Sequence, residues 1–405
     1  MVTKKMKKSR KANKKLKIAH MHWAFPPIIG GVETHLVMLL PELVKSGHEV
    51  SLLTGSAEGK KANDTYKGVK IMRAPIMNLN WLNKRGLVGI EDEVREVISS
   101  FLNKTKPNVV HVHNMNYFSR IHAKILEEEI KKKRGIPLVL TAHNSWDDML
   151  FLKLTRDIAW DHIIAVSFYI KKELMGIGCE SSRVTTIHHG IDVTRFKPSN
   201  KKEYKGRLAP LKNKRVIFHP ARMGIAKGCD VSVKAMRLIA EKFPDALLVL
   251  AGTKNIVDWG STQQKDIAYI VDLIDNLGIK NKLYIEMFSL DEMVKLYAIA
   301  ELCFYPSTVG EPFGLTMLEA LASGKPMIVT NSGGMPEIIQ DGINGYIVPI
   351  KDYEALASKA IMLLDNASVM ERIGATGRKF AELRFTKEIM ASNNIQIYKK
   401  VLGLE

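Results

Sequence analysis

The sequence predicts an α/β protein of two doubly wound, parallel-sheet domains facing each other across a cleft. Three observations carry this. A chain of 405 residues is longer than one ordinary hydrophobic core serves, which favours two domains. Short β-branched runs alternate with longer helical patterns along nearly the whole length, the grammar of βαβ units around parallel sheets. Near the middle, residues 196–214, "FKPSNKKEYKGRLAPLKNK", are polar, basic and carry two prolines, the composition of a linker.

Residues 1–16 read as a disordered basic tail. The stretch 1–17 carries nine Lys or Arg and no acid, so removing it takes the net charge from +18 to +9. The next residues, "IAHMHWAFPPII", make no apolar h-region, so the tail is not read as a signal peptide. Two readings of it stand side by side. One is a solvated solubility tail. The other is a peripheral hold on anionic membrane through residues 4–17, where each basic residue contributes ~1 kcal/mol. Nucleic acid is not expected as a partner, because the tail lacks interleaved aromatics and the rest of the chain shows no nucleic-acid module.

The first domain, residues 17–195, supplies the strand candidates "LKIAHMHW", "HEVSLLT", "VKIMRAP", "NVVHVHN", "PLVLTAHN", "HIIAVS" and "VTTIHH". A helix follows Gly31, with Val32, Leu36, Leu40 and Leu43 on one face and Gly47 as its stop. "FSRIHAKILEEEIKKKRG" reads as one helix with a basic last turn, as the helix dipole favours. The second domain, residues 215–384, opens with "RVIFHPAR" and continues with "ALLVLAGT", "LYIEMF", "LCFYPS", "PMIVT" and "GYIVP" as strands. Three helical patterns after Asp352 close the chain. In such sheets ligands sit at the carboxyl ends of the strands.

Chemistry is expected in the loops there. "IIGGVETH" follows the first strand and opens a helix, so Gly30 and Gly31 let backbone approach an anion at the helix start. A dinucleotide site would need G-x-G-x-x-G and an acid closing the second strand, and neither is present. At the first strand of the second domain, "HPARMGIAKG" sets Arg222 and Lys227 five apart in a glycine-bearing turn. A guanidinium fork and an ammonium there suit a diphosphate, although solvated surface cations would look the same. In "GEPFGLTMLEA", Glu311 lies in a loop, Gly314 starts a helix and Glu319 sits inside it. Eight helical residues rise ~12 Å, so carboxylates at either end could read hydroxyls on both sides of a phosphate held at the helix start. A nucleotide sugar has that layout.

On these residues the chain resembles the retaining glycosyltransferases of the GT-B fold, family 4 (glycosyl transferases group 1). The resemblance runs from about Lys17 to the C-terminus. It rests on "GGVETH", "HHGID", "AR" followed by "KG", the E-x7-E motif "EPFGLTMLE", and "GGMPE". It implies two Rossmann-like domains across a cleft, the first for the acceptor and the second for a UDP-, GDP- or ADP-sugar as co-substrate, with no cofactor and no metal. Arg222 and Lys227 would bind the donor diphosphate, and the N–H groups of Gly314, Leu315 and Thr316 a phosphate. Glu311 would hold sugar hydroxyls, Glu319 the ribose, and Gly30 and Gly31 would lie against diphosphate and sugar. His143, in "LVLTAHN", matches the family's histidine beside the donor sugar. It is grouped with Arg222, Lys227 and Glu311 as catalytic. The last helix, within 385–405, would cross back to the first domain. Two departures stand out. Glu286 in "YIEMFS" occupies a place where Gly is usual, near the nucleobase, and "HHG" replaces the commoner Asn-Gly before Ile191.

Other motifs argue by absence. The sequence has no D-x-D, H-E-x-x-H or G-x-S-x-G. His111 and His113 alternate on one strand and point one way. Core residues or substrate contacts are equal readings, and a metal pair is disfavoured because no third ligand has suitable spacing. His162 and His219 read as ordinary core residues. Cys179, Cys229 and Cys303 lie far apart and suit free thiols in a reducing cytosol. The expectation is therefore a metal-independent retaining glycosyltransferase, cytoplasmic or peripheral at the inner membrane face, with an unidentified acceptor. A sugar-nucleotide epimerase or hydrolase on the same fold is the alternative.

Overall fold

The computed structural model describes residues 15–115, 119–145, 149–199, 202–253 and 261–404. The tail, up to residue 14, lies outside them, as do residues 116–118 and 146–148 of the first domain. The first sheet comprises β1 (Lys17–Met21), β2 (Glu49–Gly55), β3 (Asn63–Tyr66), β4 (Val69–Ala74), β5 (Val109–His113), β6 (Leu138–Ala142), β7 (His162–Ala165) and β8 (Val184–Thr186). Their order is β3-β4-β2-β1-β5-β6-β7-β8. All pair in parallel except β3, an antiparallel edge strand on β4. Its sequence, "NDTY", carries no apolar alternation because most of it faces solvent, so the pattern that reveals the other strands misses it.

The second sheet contains β9 (Arg215–His219), β10 (Ala246–Thr253), β11 (Leu283–Phe288), β12 (Leu302–Tyr305), β13 (Met327–Thr330) and β14 (Tyr346–Val348), in the order β11-β10-β9-β12-β13-β14. It is parallel throughout. Strands buried on both faces read as continuous apolar runs, and β5, β6 and β7 are buried at every residue. In the second domain alternate residues serve two cores. Ile217, Leu248 and Leu250 join one, while Phe218 and Val249 join the other.

Helices α1 (Gly31–Lys45), α2 (Leu79–Arg85), α3 (Glu91–Thr105), α4 (Arg120–Leu126), α5 (Met149–Arg156) and α6 (Phe168–Gly176) belong to the first domain. To the second belong α7 (Cys229–Lys242), α8 (Ser261–Asn276), α9 (Leu290–Ile299), α10 (Leu315–Ala322), α11 (Tyr353–Asp365) and α12 (Ala367–Arg384). The helix expected over "FSRIHAKILEEEIKKKRG" is not uniform. After α4 its bonding widens to a π-type stretch, Glu127–Lys132. Buried Glu129 lies there and accepts from Arg95, Ser99, Lys133 and Arg134. Those bonds outweigh burial and hold its carboxyl below the ordinary range.

Two devices join the domains. The linker is tied down rather than loose, since Phe196 is buried and a 3-10 turn, Gly206–Leu211, buries Leu208 and Leu211. The chain then returns at its end. Thr386 pairs with Ile191, and α13 (Lys387–Val401) packs on α1 of the first domain, burying Met390, Ala391, Ile395 and Tyr398. Across the domain boundary, Glu337 accepts from the Phe168 and Tyr169 N–H groups at the start of α6 and meets His188 Nε2 at 2.8 Å.

In each sheet the strand order reverses once, at β1/β5 and at β9/β12. The crevice of a doubly wound sheet opens at that reversal. The loops after β1, β9 and β12 are "IIGGVETH", "ARMGIAKG" and "TVGEPFG", and topology brings all three to one cleft.

Candidate active site

The cleft has a volume of about 1070 Å³ and is walled by both domains. All ten residues singled out from the sequence line it: Gly30, Gly31, His143, Arg222, Lys227, Glu311, Gly314, Leu315, Thr316 and Glu319. A Cβ built on Gly31 meets nothing within 4 Å, so glycine there keeps cleft space open rather than relieving a packing clash.

The second-domain wall is charged and cross-braced. Glu311, 8% exposed, accepts from Lys227 Nζ at 2.7 Å and from the Tyr305 hydroxyl at 2.7 Å, both on Oε2. Burial disfavours the Lys227 ammonium. The Tyr305 oxygen and Glu311 carboxylate beside it outweigh that and raise its pKa above the ordinary lysine value. One buried carboxylate thus already holds the cation expected to meet a diphosphate. Arg222 lines the same cleft, and among the described residues no carboxylate pairs with it.

Glu319 repeats the arrangement one turn into α10. Its Oε2 accepts from the Tyr297 hydroxyl at 2.7 Å. Burial pushes its carboxyl up to about 7, with the tyrosine bond working against the rise. Tyr297 and Tyr305 are spaced like the two glutamates they serve, eight positions apart, one in α9 and one ending β12. The motif names only the carboxylates, so sequence reasoning passed over both tyrosines. Their shared spacing upstream was the available signal.

Backbone geometry sets these groups in place. Gly314 has φ +85°, a left-handed turn that leads the loop into α10, whose first residues, Leu315 and Thr316, line the cleft with no side chain capping the helix start. Gly333, at φ +56°, lies against the Glu311 backbone so tightly that a Cβ would sit 2.2 Å from its carbonyl oxygen. The neighbouring Gly334 N–H donates to that oxygen at 2.8 Å. The "GGMPE" turn therefore holds the Glu311 loop from behind.

A layer of buried histidines backs the first-domain side of the cleft, and two of them, His143 and His189, line it. His20 and His22 come from β1 and its end, His35 from α1, His111 and His113 from β5, His143 from the end of β6 and His189 from the loop after β8; all are buried. His113 Nε2 meets His20 Nδ1 at 3.0 Å, and His113 Nδ1 meets His143 Nε2 at 3.1 Å. His111 bonds the Tyr398 hydroxyl at 2.7 Å and Thr141 Oγ1 at 2.6 Å. His22 Nδ1 donates to the His113 carbonyl, and its Nε2 meets Glu33 Oε1 at 2.8 Å. Burial first, then neighbouring imidazoles, drives His113 and His143 well below the ordinary histidine value and His35 down to about 3.

Sequence spacing offers His111 and His113 no third ligand, but the fold supplies one: His20 comes within ligand distance of both, and His35 and His143 within ligand distance of His113. Spacing along the chain detects partners within one element, whereas these arrive from adjacent parallel strands and from α1. His189, part of the unusual "HHG", stacks on His143 with ring centroids 5.1 Å apart and lines the cleft. His162 and His219 pair with Thr185 and Ser232. Cys179, Cys229 and Cys303 are free thiols. Glu286 is half-buried on the edge strand β11, and its carboxylate accepts from the next residue's N–H.

Comparison with known proteins agrees with this construction. Residues 29–195 match the family model described as Glycosyltransferase Family 4, and residues 200–380 the one described as Glycosyl transferases group 1. An uncharacterized glycosyltransferase of Methanocaldococcus jannaschii is 27% identical over 404 residues, covering 95% of this chain and 98% of that one. Among solved structures, sucrose-phosphate synthase of Thermosynechococcus elongatus superposes with a TM-score of 0.78 at 18% identity, covering 96% of this chain and all of the other. The Anabaena protein HepE in complex with UDP-glucose gives 0.77 at 18% identity, over 95% and 100%. These two structural likenesses speak to the fold. With both family models matched in sequence along one chain, the protein belongs to the group 1 glycosyltransferases of the GT-B fold.

Proposed function

We propose that the chain moves a hexose from a nucleotide sugar to an acceptor hydroxyl with retention at the anomeric carbon and without a cation on the diphosphate. One observation carries the reading: Lys227, Arg222, the start of α10 and two tyrosine-braced glutamates line the same cleft. Breaking the anomeric C–O bond leaves a nucleoside diphosphate. Fixed cations and oriented N–H groups stabilise charge developing there, as preorganised electrostatics. Lys227 exchanges Glu311 for phosphate oxygens, which frees that carboxylate for sugar hydroxyls, and Glu319 takes the ribose. Double displacement needs a carboxylate against the opposite face of the sugar. None is nominated, so same-face attack is the reading, with the leaving phosphate taking the acceptor's proton.

HepE, the structural neighbour described with UDP-glucose, makes uridine donors the first to try. The acceptor belongs at the first domain. Among the described residues no helix is long and apolar enough to cross a membrane. Any hold on anionic lipid therefore falls to the basic tail. The test is a donor screen following release of UDP, GDP and ADP from their common hexose conjugates, with and without EDTA. One base should be preferred, and turnover should persist in chelator. Loss in chelator, restored by magnesium or manganese, overturns the charge assignment. Isomerised or hydrolysed donor formed quickly without any acceptor favours the epimerase or hydrolase reading.

A further inference from the structure

Behind the donor cleft four imidazoles meet with their nitrogens only partly used. His35, 4% exposed, has no hydrogen-bond partner on either ring nitrogen among the described residues, and His143 Nδ1 and His189 Nδ1 are buried in the same condition. Buried polar atoms ordinarily find partners, and leaving one without any is destabilising. The His35 ring centroid lies 4.5 Å from that of His189, 4.9 Å from His143 and 5.5 Å from His113. Burial keeps these rings neutral, and neutral imidazoles are the ligands that zinc, cobalt, nickel and copper ions favour.

One ring nitrogen each from His35, His113 and His143 lies within 4.8 Å of the other two. His113 Nδ1 and His143 Nε2 stand 3.1 Å apart, sharing a proton. Bonds of ~2.0–2.1 Å from zinc to nitrogen set neighbouring ligands of a tetrahedron ~3.3 Å apart. A cation replacing that proton keeps the spacing of the two nitrogens, with each ring turning by ~35° to aim its lone pair at the ion. On the outer side, the contact of His113 Nε2 with His20 Nδ1 at 3.0 Å is the partner that orients a ligating histidine. His143 and His189 line the cleft, which gives an ion a path from solvent and an open fourth position. A second trio, His20, His111 and His113, is equally close. There, however, His111 is committed at both nitrogens to Tyr398 and Thr141.

We propose that His35, His113 and His143 bind a first-row transition ion of the zinc or cobalt class, and that this ion competes with the donor sugar for His143. The binding stands apart from the donor reading, and the competition rests on it. Magnesium, which prefers oxygen ligands, should not bind there. The ion-free protein is then the active form, and transition ions inhibit it.

The probe is Co²⁺, titrated into the untagged chain and followed by its visible tetrahedral absorption. One equivalent should bind with micromolar or tighter affinity. His35→Phe should weaken binding by ~100-fold or more, beyond the ~10–100-fold typical of losing an outer-shell partner. His111→Gln should retain binding, with circular dichroism confirming that both variants fold. No micromolar binding by the wild type overturns the site, as does loss in His111→Gln with retention in His35→Phe. X-ray absorption on the Zn²⁺-loaded wild type needs no variant. A shell of imidazole nitrogens supports the site, and one of oxygen or sulfur alone overturns it. A saturating nucleotide sugar should lower the apparent Co²⁺ affinity. Unchanged affinity, with donor binding verified separately, overturns the competition.

Discussion

The two walls of the cleft solve the problem of burying polar groups in opposite ways. The second-domain wall keeps its charges and pairs them, Lys227 with Glu311 and a tyrosine hydroxyl with each glutamate. The first-domain side backs its own charged rim with a layer of buried imidazoles, and burial disfavours the charged form of His113 and His143. The difference assigns the work. The braced charges of the second domain can meet a diphosphate and stabilise a leaving group, while His143 and His189, uncharged where they reach the cleft, can position a sugar without adding charge to it.

If that division holds, the largest losses come from the charged wall. Arg222→Ala or Lys227→Ala should lower kcat/KM by ~100-fold or more, the scale of removing one preorganised donor to developing charge. Arg222→Ala is the cleaner variant, because Lys227→Ala also strands Glu311. A folded double variant with near-normal turnover would break the comparison at its root.

The two glutamates should separate next. A hydrogen bond to a charged group is worth ~1.5–3 kcal/mol, or ~10–100-fold. Glu311→Gln should take that loss in kcat, since the sugar it holds changes in the transition state. Glu319→Gln should take it in KM, since the ribose does not change. Affinity for free nucleoside diphosphate should fall in Glu319→Gln and barely move in Glu311→Gln. Equal effects at both positions would mean that the donor lies otherwise.

A smaller effect tells the walls apart by titration. With its carboxyl at about 7, Glu319 is protonated below neutrality and ionised above it. Accepting both ribose hydroxyls needs the ionised form, so kcat/KM should rise with pH through about 7 and level off above. Below the bend it should change by up to ~10-fold per pH unit. The bend should vanish in Glu319→Gln and persist in His143→Asn, because the buried histidines stay neutral across that range. A bend that follows His143 instead would reverse the roles of the walls.

The smallest effect concerns neither wall. Deleting residues 2–14 should leave turnover on a soluble acceptor unchanged and weaken binding to anionic vesicles at low salt, with the difference gone at high salt. Equal vesicle binding with and without the tail favours a solubility role.

The walls also differ in how far the sequence discloses them. Glu311, Gly314 and Glu319 fall within nine consecutive residues, so local spacing reveals them, although α10 begins only at Leu315 and the eight-residue helical rise expected between the two carboxylates is not formed. The strands were equally plain, because residues buried on both faces leave continuous apolar runs, as in "PLVLTAHN". The exposed edge strand β3 leaves no such mark. His20, His35, His113, His143 and His189 are scattered over 170 residues, and only sheet order makes them neighbours. Nor does a motif reveal its braces. Tyr297 and Tyr305 matter through where their hydroxyls end, which is a property of packing.

The return of α13 has a consequence for how the molecule is made. Tyr398 is buried in the first domain with its hydroxyl on His111, and Lys387 reaches Asp192 and Glu42. During synthesis the strands of that domain emerge first and can pair, yet the helix that covers part of α1 follows the whole second domain in the chain. Until the ribosome releases those residues, the imidazole layer lacks the tyrosine that closes it from below. The first domain is therefore completed only after the entire second domain has been made, and a chain truncated before Lys387 would leave the surface of α1 that α13 covers open.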